Sequence, residues 1–243
     1  MKNWSLILYA ALFIIFSSYI IYFLEPTFKT PFTGFWFVIS TIAQQGFGDF
    51  LPKTLIGKIY TMILYVIGIG IFGIIIAKWV DVVMQYRQSK YTGKLSFYGK
   101  NHIILINYSR KTRCIIEEFI TSKKNKIVLI DQLQSSPVIH EQVHYIQGSP
   151  TDKKVLHSAN ISDAKAICIL SKENLNRELS IDGSTLLTAS MIKKLFNDDN
   201  INTYTIVEVF NKEHLPSFKH LNIDQIILSN QPFTSKLSSY LML

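Results

Sequence analysis

Residues 40–54 read STIAQQGFGDFLPKT, from Ser40 to Thr54. Two amides, Gln44 and Gln45, run straight into Gly46-Phe47-Gly48-Asp49, in a region otherwise thick with Phe, Ile, Trp and Leu. On the N-terminal side, Ser5–Leu24 (SLILYAALFIIFSSYIIYFL) holds no charge. A helix rises about 1.5 Å per residue, so ~20 such residues cross a ~30 Å hydrocarbon layer. A cleaved leader would have a shorter apolar stretch of about 7–15 residues and a small-residue cleavage site, whereas this run closes on Tyr-Phe-Leu-Glu-Pro. It predicts a retained transmembrane helix. On the other side, Ile59–Val80 (IYTMILYVIGIGIFGIIIAKWV) predicts a second span, uncharged until Lys78.

Charge orients the two spans. Of 25 Lys and Arg and 17 Asp and Glu, residues 1–99 hold eight basic groups and three acids (Glu25, Asp49, Asp81), and the rest of the chain has an ordinary soluble mixture. Behind the second span come Lys78, Arg87, Lys90, Lys94 and Lys100, opposed by Asp81, while residues 25–54 are charge-neutral. Cytoplasmic flanks collect Lys and Arg. Both termini are therefore expected in the cytoplasm, the connecting stretch outside, and the chain in the cell membrane. The net charge of +8 is no nucleic-acid footprint, since no basic cluster is interleaved with aromatics. Cys114 and Cys168 lie in apolar runs without a CxxC spacing, and read as reduced, buried packing residues. The six histidines are scattered, with only His140 and His144 four apart, and no metal site is read from them.

The connecting stretch is too apolar for an exposed loop. Thr33–Ala43 (TGFWFVISTIA) suits about three helical turns, too short to cross a bilayer. A short helix followed by a glycine-containing extended segment is a re-entrant element. Such backbone survives at membrane depth only where protein buries it or where it lines a water-filled path. That implies a pore, and two spans cannot enclose one. Several chains must share it.

Span, short helix, GFGD, span resembles the pore module of the potassium channel family, whose filter usually reads Thr-Val-Gly-Tyr-Gly-Asp. The resemblance implies a homotetramer in membrane lipid, K+ as permeant ion, and a selectivity filter at Gln44, Gln45, Gly46, Phe47, Gly48 and Asp49. Carbonyl rings can replace an ion's water shell only if successive carbonyls point the same way, which needs the alternating backbone handedness that glycine permits. Departures are informative. Phe47 stands for Tyr and Phe37 for a second Trp, so a polar pair that the family can join by a hydrogen bond is lost together, leaving no orphan donor. Gln44 replaces Thr at the innermost ion site. Gln45 replaces Val, and behind the filter it would need partners such as Ser40 or Thr41. K+ preference is expected to be less sharp than with Thr-Val. Gly68, Gly70 and Gly73 interrupt the second span, as close-packing residues or as a bend. Gly68 matches the family's gating-hinge position.

Beyond the spans the pattern changes. Asn101–Asn107, Lys126–Asp131, Val143–Gln147, Ala164–Leu170 and Thr203–Val209 are short apolar runs rich in β-branched residues, read as buried parallel strands. Helical spacing follows the first, over Ser109–Thr121, and helices are expected at 185–196 and 212–220. The pattern predicts a Rossmann-like, doubly wound α/β domain. Residues 1–88 then form a membrane α-helical pore module (two transmembrane helices plus a re-entrant pore helix), 89–99 a linker and 100–243 the cytoplasmic domain. The first strand-to-helix turn reads Asn107-Tyr108-Ser109-Arg110-Lys111-Thr112, with none of the glycines of a dinucleotide fingerprint. Asp131 keeps the acidic position about 20 residues on.

The stretches NHIILINYSRKT, KIVLID, HYIQGSPTDKKVLHSANISDAKAICIL and HLNIDQIIL resemble the RCK (TrkA-N-like) domain of bacterial potassium channels. By that resemblance Asn107, Ser109, Thr112, Asp131, Gly148 and Asp152 line a nucleotide site for ATP, ADP or NAD(H). Asp182 and Glu208 fall near carboxylates that calcium-gated members use, with Phe210 in place of a further ligand; for each acid a solvated structural role is the other reading. The smaller C-terminal subdomain of many relatives is not expected within this sequence, so a gating ligand would act through the Rossmann-like lobe. The function implied is a ligand-regulated channel for K+ or other monovalent cations, or alternatively a non-conducting or weakly selective accessory subunit. A membrane-anchored NAD-dependent enzyme fits poorly, because the glycine-free turn hinders pyrophosphate approach and no hydride-transfer residues are arrayed.

Overall fold

The computed structural model describes residues 2–122, 125–172 and 178–229, with side chains described from residue 8 onward and from 180 in the last stretch. The chain forms two compact units, Met1–Gln85 and Tyr86–Leu243.

In the first unit, helix α1 spans Lys2–Leu24, α2 spans Pro31–Ile42 and α3 begins at Leu55 and runs without a break to Tyr91. Helix α2 starts where the sequence supplies a capping box. The Thr30 side chain accepts from the Thr33 amide, the Thr33 hydroxyl accepts from the Thr30 amide, and Pro31 opens the first turn. Its 12 residues make about 18 Å of helix, too short to span. Among the described residues, α3 is long and apolar enough to cross a membrane, and Leu8–Leu24 is a shorter apolar stretch within α1. The core of the unit is Ile21, Phe28, Phe37, Val38, Ile42 and Leu64. Here α1 and α2 come close enough that a Cβ on Gly34 would lie 2.5 Å from the Ser18 carbonyl oxygen. Outside this core α3 presents Met62, Ile63, Val66 and Ile69 at its surface, as a helix meant for lipid or neighbouring chains does.

Glu25, immediately after α1, is fully buried. Its carboxylate accepts from the backbone N–H of Lys53 (2.6 Å) and Thr54 (2.9 Å) and from the Thr54 hydroxyl (2.9 Å). Those groups lie immediately before α3, at an end where helix amides have no intrahelical acceptor. The Thr54 hydroxyl in turn accepts from the Gly57 amide. A Cβ on Gly57 would meet the Glu25 carboxylate at 2.5 Å, so the glycine makes room for the acid. Burial pushes the Glu25 carboxyl up, but the hydrogen bonds from Thr54 and Lys53 and the Lys58 charge outweigh it and leave it below the usual value of 4.5.

The second unit carries a six-stranded, all-parallel sheet of β1 (His102–Ile106), β2 (Ile127–Asp131), β3 (Val143–Gln147), β4 (Ala164–Ile169), β5 (Tyr204–Val209) and β6 (Gln225–Leu228), in the order β3-β2-β1-β4-β5-β6. Helices α4 (Arg110–Ser122), α5 (Lys153–Ser158), α6 (Glu178–Asp199) and α7 (Leu215–Phe218) lie between them in sequence. β1 and β2 are buried at every position, the result of helices covering both faces of a parallel sheet. Two cores follow, one around Ile103, Leu105, Phe119 and Tyr145 and one around Ile104, Ile106, Ile167, Ile192 and Phe196.

The Rossmann-like sheet is as expected, with differences. The strand β6 is additional to the five expected from β-branched runs. The helix expected at 212–220 resolves into short 3-10 turns flanking α7, because Pro216 lacks an amide for a longer ladder. Cys168 is buried, and burial raises its thiol pKa. Cys114 is exposed, which corrects the packing role read for it: α4 buries Thr112, Ile115, Ile116 and Phe119, and residue 114 falls on the opposite face.

Replacing Glu25 by Ala strips hydrogen bonds to a charged acceptor from the start of α3 and should destabilise the first unit by about 3 kcal/mol. Unfolding of the detergent-solubilised chain should show it. Glu25 has a lowered folded pKa, so its contribution is complete above about 4.5 and fades as pH falls through the folded value. The Glu25→Ala chain should lack that acid limb.

Candidate functional site

Two places in the chain bring chemistry-bearing groups together, one in each unit.

In the first, α2 ends at Ile42 and the chain turns out of the helix at Gln44, whose φ is +57°. Gly46 and Gly48 follow at +60° and +75°. Every second residue is therefore left-handed, the alternation that aims successive carbonyls in a common direction. The glycines supply it without strain, and Gln44 adopts it at a cost. The turn is held by Gln44 N–H to the Thr41 carbonyl (3.1 Å) and Gln45 N–H to the Ser40 carbonyl (2.9 Å). The Gln44 side-chain amide also reaches the Thr41 carbonyl at 3.4 Å.

Phe47 stacks on Trp36 with ring centroids 5.7 Å apart and planes 17° from parallel. The partner of Phe47 on the short helix is therefore Trp36 rather than Phe37. Phe37 turns inward and packs on Phe28 at 5.1 Å. Gln45 is exposed in the single chain rather than tucked behind the left-handed segment, and the Ser40 hydroxyl donates instead to the Phe37 carbonyl. Gly68 is a contact: a Cβ there would come within 3.2 Å of Ile42 Cα and Cγ1. The contact lies within an α3 that is unbroken through Gly68.

In the second unit, the order β3-β2-β1-β4 reverses direction between β1 and β4, the switch point where open α/β sheets form a crevice. A cleft of about 540 Å³ lies beside it, lined by Tyr108, Ser109, Arg110, Arg113, Asp131, Gln132, Leu133 and Lys172. The glycine-free turn is built by other means. Asn107 takes the left-handed conformation (φ +68°), which Asn tolerates better than most residues. Its side-chain NH2 donates to the Leu170 carbonyl at 2.7 Å, tying β1 to β4, and its Oδ1 is buried without a partner. The Thr112 hydroxyl donates to the Asn107 carbonyl at 2.7 Å and accepts from the Ser109 amide, while Ser109 Oγ accepts from the Thr112 amide. Side-chain oxygens of the same turn thus occupy two amides at the start of α4 that an anion could otherwise use.

The structure sorts the expected ligand residues. Ser109 and Asp131 line the cleft; Asn107 and Thr112 brace it from beneath, both buried. Asp131 accepts from the amides of Tyr108 (2.5 Å) and Gln132 (2.6 Å), holding the β1–α4 turn against β2. Gly148 does not line the cleft. Its amide donates to the Asp131 carbonyl, and its missing Cβ leaves room for Val155. Nor does Asp152, which caps α5 through the Lys154 amide at 2.9 Å. Sequence reasoning missed Arg113 and Lys172. Arg113 follows from helical spacing, one turn along from Arg110.

Asp182 and Glu208 are buried rather than solvated, and protein donors surround both. Asp182 accepts from the amides of Phe210 (2.7 Å) and Asn211 (2.9 Å) and pairs with His214 Nδ1 at 2.6 Å. Glu208 pairs with Lys111 Nζ at 2.5 Å and accepts from the Ser171 amide and the Ser229 hydroxyl. Lys111 also donates to the Ser229 hydroxyl and carbonyl. Lys111 is thus engaged by Glu208 and Ser229 and does not line the cleft. No group of three or more metal-ligating side chains occurs among the described residues.

Comparison with known proteins agrees with both halves. Residues 103–229 match the TrkA-N domain family, and residues 9–85 match a family described as ion channel. YugO of Bacillus subtilis is 30% identical over 211 residues, covering 86% of this chain and 62% of the relative. The calcium-gated potassium channel TvoK of Thermoplasma volcanium is 32% identical over 171 residues, 70% of this chain and 49% of that one. The chain thus spans about half to three-fifths of these relatives' length. Among solved structures, the GsuK channel bound to NAD superimposes with a TM-score of 0.56 at 19% identity, over 97% of this chain and 42% of that one. GsuK bound to ADP gives 0.56 at 18% identity, over 92% and 59%. These establish the fold of a pore module followed by a Rossmann-like lobe. The chain belongs to the TrkA-N domain family, its domain preceded by an ion-channel pore module as in bacterial potassium channels with RCK domains.

Proposed function

We propose that the protein is a potassium channel, in which four copies surround one axis and Gln44, Gln45, Gly46, Phe47, Gly48 and Asp49 line the narrowest part of the path. Residues 1–88 supply the pore, 89–99 the linker and 100–243 a cytoplasmic regulatory lobe; both α1 and α3 span the cell membrane, with the termini in the cytoplasm. The observation that carries this reading is the left-handed backbone at Gln44, Gly46 and Gly48, placed behind a helix too short to span. A Rossmann lobe with a glycine-free turn, in a chain whose relatives include a calcium-gated potassium channel, supports a channel over an enzyme. Gly68, at the contact of α3 with Ile42, is where a bend of α3 would move the base of the short helix, and so serves as the gating hinge.

We assign the regulatory site to the cleft beside β1 and β2, with a nucleotide as ligand. Arg110, Arg113 and Lys172 would meet its phosphates and Asp131 a ribose hydroxyl. GsuK has been solved with NAD and with ADP, which favours this ligand class. Calcium at Asp182 and Glu208 is disfavoured, since internal donors already hold both acids.

Purified protein in liposomes should pass K+ in preference to Na+. Gln44→Thr with Gln45→Val should raise that preference several-fold, read as reversal potential under K+/Na+ gradients. An unchanged ratio would remove the glutamines as the cause, and no flux of either ion would favour an accessory subunit.

Calorimetry of the full chain in detergent should show ATP, ADP or NAD(H) binding. Arg113→Ala with Lys172→Ala should weaken it about tenfold or more, the loss of one or two charge-assisted hydrogen bonds. Ca2+ should give no heat that depends on Glu208.

A further inference from the structure

Residues 91–101, which lead from the end of α3 into β1, are tied at nearly every second residue to β3, α5 and the neighbouring loops. The Tyr91 carbonyl accepts from the Ser136 amide at 2.8 Å and the Gly93 carbonyl from the Gln147 amide at 3.0 Å. The Phe97 amide donates to the Ser158 carbonyl at 2.7 Å, and the Asn101 amide to the Asp163 carbonyl at 2.8 Å. Two histidines also meet the strap, His144 by a hydrogen bond to Leu95 and His102 through the ring of Phe97. His144 Nε2, on β3, lies 2.8 Å from the Leu95 carbonyl, and His102 Nε2, at the start of β1, lies 2.9 Å from the Ala159 carbonyl. The ring of Phe97 sits between them, 4.6 Å from His102 and 5.3 Å from His144.

A carbonyl oxygen can only accept, so each Nε2 carries the hydrogen and each Nδ1 is the atom a second proton must reach. For His102 that atom is buried without a partner, in a side chain with no exposed surface. A proton there would create a buried, unpaired N–H on a cationic ring. It would also place charge against the Phe97 edge and near the second histidine.

We propose that His102 and His144 form a proton-sensitive clasp that holds the linker to the lobe when neutral and releases it when protonated. Burial pulls both rings below their ordinary 6.5; the Ala159 carbonyl and Asp163 oppose this at His102 while His144 adds to it, and at His144 the Leu95 carbonyl opposes while Lys90 adds. Asp163 is itself engaged by Lys100 at 3.4 Å and by Asn160, which limits its pull on His102. The clasp's contribution is therefore complete above about 6.5 and is lost as pH falls through the lowered values. If the lobe gates the pore, as proposed above, cytoplasmic acid uncouples them; release of the linker itself does not depend on that reading.

The test is hydrogen–deuterium exchange of the full chain in detergent at about pH 7.5 and about pH 5.5, corrected for the intrinsic rate. Protection of the Phe97, Asn101 and Gln147 amides should fall about tenfold or more in acid, while Leu105 and Cys168 in the central strands stay protected. His102→Gln keeps a side-chain N–H donor but cannot titrate, and with His144→Gln it should abolish the difference. Equal protection of the wild-type strap at both pH values would overturn the proposal, as would an undiminished acid loss in the double variant. NMR titration of the wild-type His102 ring is independent of any variant: a value at or above 6.5 would also overturn it.

Discussion

Everything in the first unit hangs from the carboxylate of Glu25. The chain leaves α1 at that residue, makes the turn, the short helix and the left-handed segment, and returns to the same carboxylate at Lys53 and Thr54. A helix start needs acceptors for its first amides, and here the acceptor belongs to the end of another helix. The excursion is thereby closed at its base. Closure matters because Gln44 sits in a conformation unfavourable for a side chain with a Cβ, and such strain persists only where the surroundings over-determine it. The capping box of α2, the Phe47–Trp36 stack and the Gly34 approach to Ser18 fix the interior of the loop that Glu25 closes.

The second unit solves a different problem, a crevice at the sheet's switch point without glycines. Asn107 provides the left-handed turn, and hydroxyls of Ser109 and Thr112 replace the close backbone packing that glycines would allow. The consequence is electrostatic. With two amides of the α4 start already satisfied, the positive charge at the cleft comes from the side chains of Arg110, Arg113 and Lys172. Across the sheet, Lys111 and Glu208 neutralise each other in a largely buried pair. Removing either alone would leave a charge uncompensated.

What could be read from sequence was what depends on neighbours along the chain. The β-branched runs located five strands to within a residue or two, because a strand buried on both faces has no polar alternation to confuse it. Gly46 and Gly48 were legible because few residues other than glycine suit that backbone. Pairings across long separations were not legible. Glu25 meets Thr54, and Lys111 meets Glu208, through geometry that exists only after folding. Asp182 and Glu208 looked like solvated acids or ion ligands because sequence shows the charge and hides the donors. Cys114 shows a subtler failure. Its apolar neighbours suggested burial, yet a helix with one face toward the sheet sends one of each such cluster outward. The helix read over 212–220 ignored the missing amide of Pro216.

That outward cysteine gives the molecule a built-in handle. The chain has two thiols, and Cys168 is sealed within the sheet, where its thiolate is strongly disfavoured. A thiol reagent meeting the folded protein would therefore react at Cys114, on the outer face of α4 and next in sequence to Arg113 of the cleft. A fluorophore attached there would label the folded protein at one defined place in its natural sequence, without engineering a label site.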